Sequence, residues 1–136
     1  MSESTATRQD IDPAQVVPVG IVPALIVPAL IVQAQLDAYN AHDIDRFVAC
    51  FSDDAHLYRM PAQAPGTIGK AALRAFYAEH RFSIAALRAE LLNRMTLGDK
   101  VVDHERIHGL GEHPTDVVAV YQVSDGLIAN VWFFYP

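Results

Sequence analysis

The stretch from Gln35 to Tyr58 constrains the fold more than any other part of the chain, because helical and strand patterns meet within it. Apolar residues three or four positions apart predict one helix that ends before residues 40–43 and a second from about residue 44 to 51. Residues 52–55, Ser-Asp-Asp-Ala, predict a turn, and a strand begins at His56. Because the spacing of apolar residues changes from a helical to a strand pattern within so few positions, the helices must lie directly against a sheet.

The rest of the sequence predicts a third helix and a series of strands. The third helix spans Lys70 to Arg81, after a loop at residues 61–69 that is rich in Pro and Gly. Four strands with turns between them follow, at residues 89–97, 100–108, 115–123 and 127–135. Helices early and an antiparallel meander late indicate the α+β class, with three helices packed on a mainly antiparallel sheet.

The N-terminal part of the chain has a different composition. Residues 1–15 are polar and predict a mobile tail, whereas residues 16–27 form an apolar, Pro-rich lead-in. Prolines interrupt the apolar run, so no membrane span is predicted there. Pro28 suits the first position of a helix, and we therefore expect a single domain over residues 28–136.

The composition favours one soluble globule. Hydrophobic residues make up 51% of the chain and charged residues 19%, with a formal net charge of −6. The basic residues are scattered, so neither nucleic acid nor a membrane is an expected partner. The single cysteine, Cys50, fits a reducing compartment and predicts a cytoplasmic protein with this side chain in the core.

Two segments resemble the NTF2-like superfamily, which includes ketosteroid isomerase and SnoaL-like proteins. Residues 39–58, YNAHDIDRFVACFSDDAHLY, resemble its N-terminal signature, and residues 120–134, VYQVSDGLIANVWFF, resemble its closing strands. The resemblance implies a cone in which three N-terminal helices pack on a strongly curved, mainly antiparallel sheet. It also implies a cavity for a small molecule inside the cone. Such folds serve many unrelated functions, so the activity must be argued from the pocket.

The same resemblance implies a homodimer through the convex face of the sheet. Alternation along the strands leaves Val118 and Val120, and likewise Val131 and Phe133, on the face that looks away from the helices. A small domain has little else to cover that face, and an obligate interface of this kind buries more than about 2,000 Å².

Comparison with ketosteroid isomerase implies that its mechanism is not kept. The positions of its Asp base, its helical Tyr and its second Asp fall on Arg59, on Gln35 and on or near Ala119. Arginine stays protonated at neutral pH and cannot act as a base. We therefore expect no isomerisation of a 3-oxo-Δ5-steroid, and Arg59 favours an anionic ligand or an internal carboxylate instead.

Alternation and the resemblance together suggest which side chains line the cavity. Similarity to ketosteroid isomerase turns the face of Leu57 and Arg59 inward, and the third helix offers His80 either as a C-terminal cap or at the pocket mouth. The candidate pocket residues are Leu57, Arg59, Tyr77, His80, Tyr121, Asn130, Trp132 and Phe134.

The strand at residues 101–108 is the densest cluster of ionisable groups. Alternation puts Asp103 and Glu105 on one face. If that face looks inward, either carboxylate can meet Arg59 in a low-dielectric cavity and serve as a general base. The alternative is a structural ion pair on a partly exposed sheet. The candidate catalytic residues are therefore Glu105, Asp103 and Arg59.

The six histidines do not predict a metal site. His104 and His108 are four residues apart, and on a strand this separates their Cα atoms by about 13 Å, too far to share one ion. The sequence also has no GxGxxG, Walker A or GxSxG pattern, so no cofactor is expected.

Two hypotheses of function remain. The first is a small-molecule enzyme of isomerase, dehydratase or cyclase type, in which Glu105 acts with Arg59 and Tyr121 as polar partners. The alternative is a non-catalytic ligand-binding or dimerisation module. An open apolar cavity with converging polar groups favours the enzyme, whereas a filled domain favours the module.

Overall fold

The computed structural model describes residues 21–136, with side chains from residue 28 onward. It has three helices, α1 (Ile21–Asn40), α2 (Ile44–Ala49) and α3 (Gly69–His80). It has six strands, β1 (Phe51–Arg59), β2 (Thr67–Ile68), β3 (Arg88–Leu97), β4 (Lys100–His108), β5 (Thr115–Ser124) and β6 (Leu127–Phe134). The α+β prediction is confirmed. The predicted tail and the first part of the lead-in lie outside the described residues.

The six strands form one mixed sheet in the order β2-β1-β6-β5-β4-β3. β1 and β6 run parallel, and every other neighbouring pair is antiparallel. Helix α1 contacts β3, β4, β5 and β6, whereas α3 contacts β1 and β2. The core therefore lies between the helices and one face of the sheet, where the pocket also forms.

The break between the first two helices has a structural role. Asp43 caps α2 by accepting a hydrogen bond from the backbone N–H of Arg46 at 3.1 Å. Asn40 ties the end of α1 to β3, because its side chain donates to the carbonyl of Ala89 at 3.0 Å and accepts from the N–H of Ala89 at 2.7 Å. This short polar segment fixes how the helices sit on the sheet.

An aromatic cluster joins the helices along one side of the pocket. The rings of Phe47 and Tyr77 lie 4.6 Å apart, and those of Tyr39 and Phe82 lie 5.5 Å apart in an edge-to-face arrangement. Cys50 is buried beside this cluster, as predicted, and burial raises the pKa of its thiol. The cluster holds α1, α2 and α3 together with little polar surface.

Two predicted boundaries are wrong. Helix α1 begins at Ile21, so Pro28 lies inside the helix and not at its first position. Its neighbours on both sides continue the helix, and one missing backbone hydrogen bond does not end it. Strand β1 begins at Phe51, so residues 52–55 form part of a strand with an irregular register and not a turn.

In the described residues, no helix is both long and apolar enough to cross a membrane.

Candidate ligand pocket

A pocket of about 290 Å³ lies between the helices and the inner face of the sheet. Its floor is buried and its mouth is more exposed. The lining residues are Gln35, Tyr39, Phe51, Leu57, Tyr58, Arg59, Gly66, Thr67, Phe76, Tyr77, Arg81, Glu105, Ile107, Leu110, Val117, Tyr121, Val131, Phe133 and Tyr135. Of the predicted pocket and catalytic residues, the structure brings together Leu57, Arg59, Tyr77, Tyr121 and Glu105 in this lining.

The prediction of which face of β6 looks into the pocket is wrong. Asn130, Trp132 and Phe134 are not among the lining residues, whereas Val131 and Phe133 are. A register shift between β5 and β6 inserts one extra residue in β6 at this point. The bulge reverses the alternation, so Val131 and Phe133 face the pocket and not the opposite side.

His80 also lies outside the lining. Its exposed side chain stands 3.7 Å from Glu79 and packs on the ring of Phe76. The next residue, Arg81, lines the pocket instead. Sequence reasoning missed Arg81, because the residue after a helix end has no periodic signal to fix its direction.

Asp103 pairs with Arg94 and not with Arg59, which corrects the predicted ion pair. Arg94 Nε donates to Asp103 Oδ1 at 2.7 Å, and Nη2 donates to Oδ2 at 2.9 Å. Arg94 Nη1 also donates to Gln33 Oε1 at 2.8 Å. Asp103 is fully buried, and it supports the pocket from behind without lining it. The register of the β3–β4 hairpin, which places Arg94 opposite Asp103, was the signal that could have identified this partner.

Arg59 lies at the end of β1, where its side chain is exposed at the pocket mouth. Its guanidinium carbon stands 4.0 Å from the centre of the Tyr135 ring, so the two groups form a cation–π contact. No described carboxylate forms a salt bridge with it.

Glu105 is the ionisable group of the pocket floor. It is 6% exposed, and its Oε2 atom has no hydrogen-bond partner among the described residues. Burial raises the pKa of Glu105 to about 7, and the negative charge of Asp103 adds to the rise, while the charge of Arg94 opposes it. Near neutral pH this carboxyl can therefore both accept and release a proton.

Phenol groups surround Glu105. Burial is the main cause that raises the pKa of Tyr121, and it does the same for Tyr39 and Tyr77. The side chain of Gln35, whose Nε2 donates to the carbonyl of Val32 at 3.2 Å, acts in the opposite direction and lowers the pKa of Tyr121. These hydroxyls stay protonated near neutral pH and can donate hydrogen bonds to a ligand oxygen.

The histidines of β4 are engaged elsewhere. His104 contacts Asp116 and His108 contacts Glu90, each at 3.0 Å, on the face away from the pocket. Within residues 28–136, no group of three or more His, Cys, Asp or Glu side chains is placed to hold a metal ion.

Comparison with known proteins places the chain in a family. The model of the SnoaL-like domain matches residues 32–131. No curated protein matches the sequence.

Solved structures share the fold. An uncharacterised cystatin-fold protein from Novosphingobium aromaticivorans is 26% identical, with a TM-score of 0.72 over 78% of this chain and 96% of that one. An NTF2-like protein of unknown function from Burkholderia xenovorans is 18% identical, with a TM-score of 0.71 over 83% and 85%. A Sinorhizobium meliloti protein proposed to be a polyketide cyclase is 23% identical, with a TM-score of 0.66 over 76% and 92%. The domain match shows that the chain belongs to the SnoaL-like domain family, and the solved structures show that it shares the fold of NTF2-like proteins.

Proposed function

We propose that the protein binds a small, partly apolar molecule in the pocket and catalyses proton transfer on it, as an isomerase, dehydratase or cyclase does. The observation that carries the proposal is Glu105, a buried carboxyl whose Oε2 atom has no hydrogen-bond partner among the described residues, on the floor of an otherwise largely apolar pocket. A buried carboxyl oxygen without a partner destabilises the fold, so its presence in a cavity favours a functional role. In this proposal the helices close a curved sheet into a cone, and the cone interior holds the ligand.

The chemistry follows from the protonation state of Glu105. The ionised carboxylate takes a proton from a carbon next to a ligand carbonyl, which leaves an enolate and a neutral Glu105. The hydroxyl of Tyr121 can donate a hydrogen bond to the enolate oxygen. Glu105 then returns its proton to another atom of the same molecule, to a carbon in an isomerisation or to a departing hydroxyl in a dehydration.

Exchange of carbon-bound hydrogen tests this proposal without knowledge of the natural substrate. 2-Tetralone, a small aromatic ketone, has acidic hydrogens next to its carbonyl, and their replacement by deuterium in D₂O is followed by NMR. We expect the protein to accelerate this exchange and the rate to rise as the pH increases through about 7, because only ionised Glu105 acts as the base. Glu105→Gln should reduce the rate to the solvent background.

Glu90→Gln is the matched control, since Glu90 is a half-exposed glutamate that contacts His108 outside the pocket. It should leave the exchange unchanged. Tetralone that binds without accelerated exchange would contradict the catalytic proposal and favour the non-catalytic binding module. Full activity in Glu105→Gln would remove Glu105 from the mechanism.

We also propose a homodimer that forms through an outer sheet face defined by Val118, Val120, Trp132 and Phe134. The Trp132 ring stacks on that of Tyr58 at 5.8 Å, and Phe134 is 43% exposed. Val120 lies opposite Trp132 in the strand register. Polar groups at the edge, such as Asp116 with Arg106, supply the kind of rim that protein interfaces have.

A further inference from the structure

Two arginines stand at the mouth of the pocket. Arg59 reaches it from the end of β1, and Arg81 reaches it from the residue that follows α3. Both are more exposed than Glu105, which lies on the buried floor. The pocket therefore has cationic groups at its entrance and one carboxyl group inside.

Aromatic rings, and not carboxylates, hold these two arginines. The guanidinium carbon of Arg59 is 4.0 Å from the centre of the Tyr135 ring, and that of Arg81 is 4.9 Å from the centre of the Phe76 ring. Arg81 Nη1 also donates to the carbonyl of His80 at 2.9 Å. A ring contact orients a guanidinium without neutralising its charge, and it leaves N–H groups at the edge able to bind an anion.

The contrast with other arginines supports this distinction. Of the seven described arginines, four form salt bridges with aspartates, namely Arg46, Arg74, Arg94 and Arg106, and Arg88, outside the pocket, forms none among the described residues. Neither mouth arginine has such a partner among residues 28–136. The protein has a formal net charge of −6, so two cations at one cavity without a carboxylate partner in the described part of the chain are a local reversal of its overall charge.

We propose that the ligand is an apolar molecule with one carboxylate, which Arg59 and Arg81 hold at the mouth while the apolar body extends to Glu105. The inference rests on the proposed function, since it assigns the substrate class of the same pocket. The planar guanidinium presents paired N–H donors that match the two oxygens of a carboxylate. Such an anchor fixes one end of the ligand and leaves its other end against the carboxyl of the floor, where the proton is transferred.

Binding of two matched probes tests the substrate class. 4-Phenylbutyrate and 4-phenylbutan-1-ol share the same apolar body, but only the first carries a carboxylate. Their dissociation constants are measured by titration calorimetry at pH 6, where most Glu105 side chains keep their proton and do not repel the acid. We expect the acid to bind at least about tenfold more tightly than the alcohol, a difference of about 1.4 kcal/mol.

Variants of Arg59 and Arg81 test whether these two residues cause the preference for the acid over the alcohol. Arg59→Gln and Arg81→Gln should each weaken binding of the acid by about three- to tenfold and leave binding of the alcohol unchanged. The double variant should bind both probes equally. Arg88→Gln is the matched control, because Arg88 is an exposed arginine at the start of β3 that does not line the pocket. Circular dichroism verifies that each variant is folded.

The outcomes separate this inference from the proposed function. Equal binding of acid and alcohol to the unmodified protein would overturn the carboxylate anchor, and so would an acid preference that survives in the double variant. If tetralone exchange still depends on Glu105 in that case, the proposed function stands alone. If neither probe binds and no exchange is seen, both proposals are wrong.

Discussion

At the scale of single residues, the sheet contains two arginine–aspartate pairs of similar geometry and different burial. Arg94 holds Asp103 beneath the helices, where the aspartate is fully buried and the arginine is 17% exposed. Arg106 holds Asp116 on the outer face, where both side chains are well exposed to solvent. Water screens the second pair but not the first, so the same contact has different consequences for stability.

Arg94→Met should therefore lower the free energy of unfolding by about 3 kcal/mol or more, because it leaves Asp103 buried without a partner. It should also raise the pKa of Glu105, since the charge of Arg94 holds that pKa down. Arg106→Met is the control and should change stability little. Urea unfolding curves give the free energy of unfolding of both variants, and equal losses of stability in the two variants would contradict the difference in burial as its cause.

At the scale of elements, the turn after β4 depends on one glycine. Gly109 has a φ of +99°, and a Cβ at this position would lie 2.6 Å from the carbonyl oxygen of Ala86. That neighbour is backbone, which cannot move aside as a side chain can. The close approach joins the β4–β5 connection to the segment before β3 and so fixes one side of the domain.

Gly109→Ala should reduce stability by about 2 kcal/mol or more, because it combines an unfavourable φ with a backbone clash. Gly111→Ala, in the same connection, is the matched control, since a Cβ there meets nothing within 4 Å. Its effect on the melting temperature should be small. A Gly109→Ala protein as stable as Gly111→Ala would show that the segment around Ala86 moves freely.

The positions of the helices and strands could largely be predicted from the sequence, but the face on which each side chain lies could not. Alternating residues located β3 to β6 to within a few residues, because the pleat imposes a period of two. The bulge in β6 has no such signature, so Trp132 was placed inside and Val131 outside, the reverse of what the register gives. For the site, alternation placed Asp103 and Glu105 on one face of β4, but it left open whether that face looks into the pocket, where the structure places Glu105. The partner of Asp103 was missed because alternation along a single strand does not pair residues, whereas the register of the β3–β4 hairpin sets Arg94 opposite Asp103.

At the scale of the whole molecule, the proposed dimer is the main expectation. Light scattering at micromolar concentration should give twice the 14.9 kDa of one chain. Trp132→Glu should shift the protein to monomers, because a charge at the centre of an apolar interface is buried without a partner. Leu30→Glu is the control, as Leu30 is 57% exposed on α1, away from the sheet. A monomeric mass for the unmodified protein would contradict the proposal.

The parallel pairing of β1 with β6 has a consequence for biosynthesis. β1 leaves the ribosome before α3 and the whole meander, yet one of its two neighbours in the sheet, β6, is the last strand to be made. The contact between Arg59 and Tyr135, which forms part of the pocket mouth, likewise joins residues from early and late translation. Helices and the β3–β5 hairpins can form on the growing chain, but the pocket closes only when β6 is released. A nascent chain therefore lacks a complete pocket until synthesis of the domain is complete.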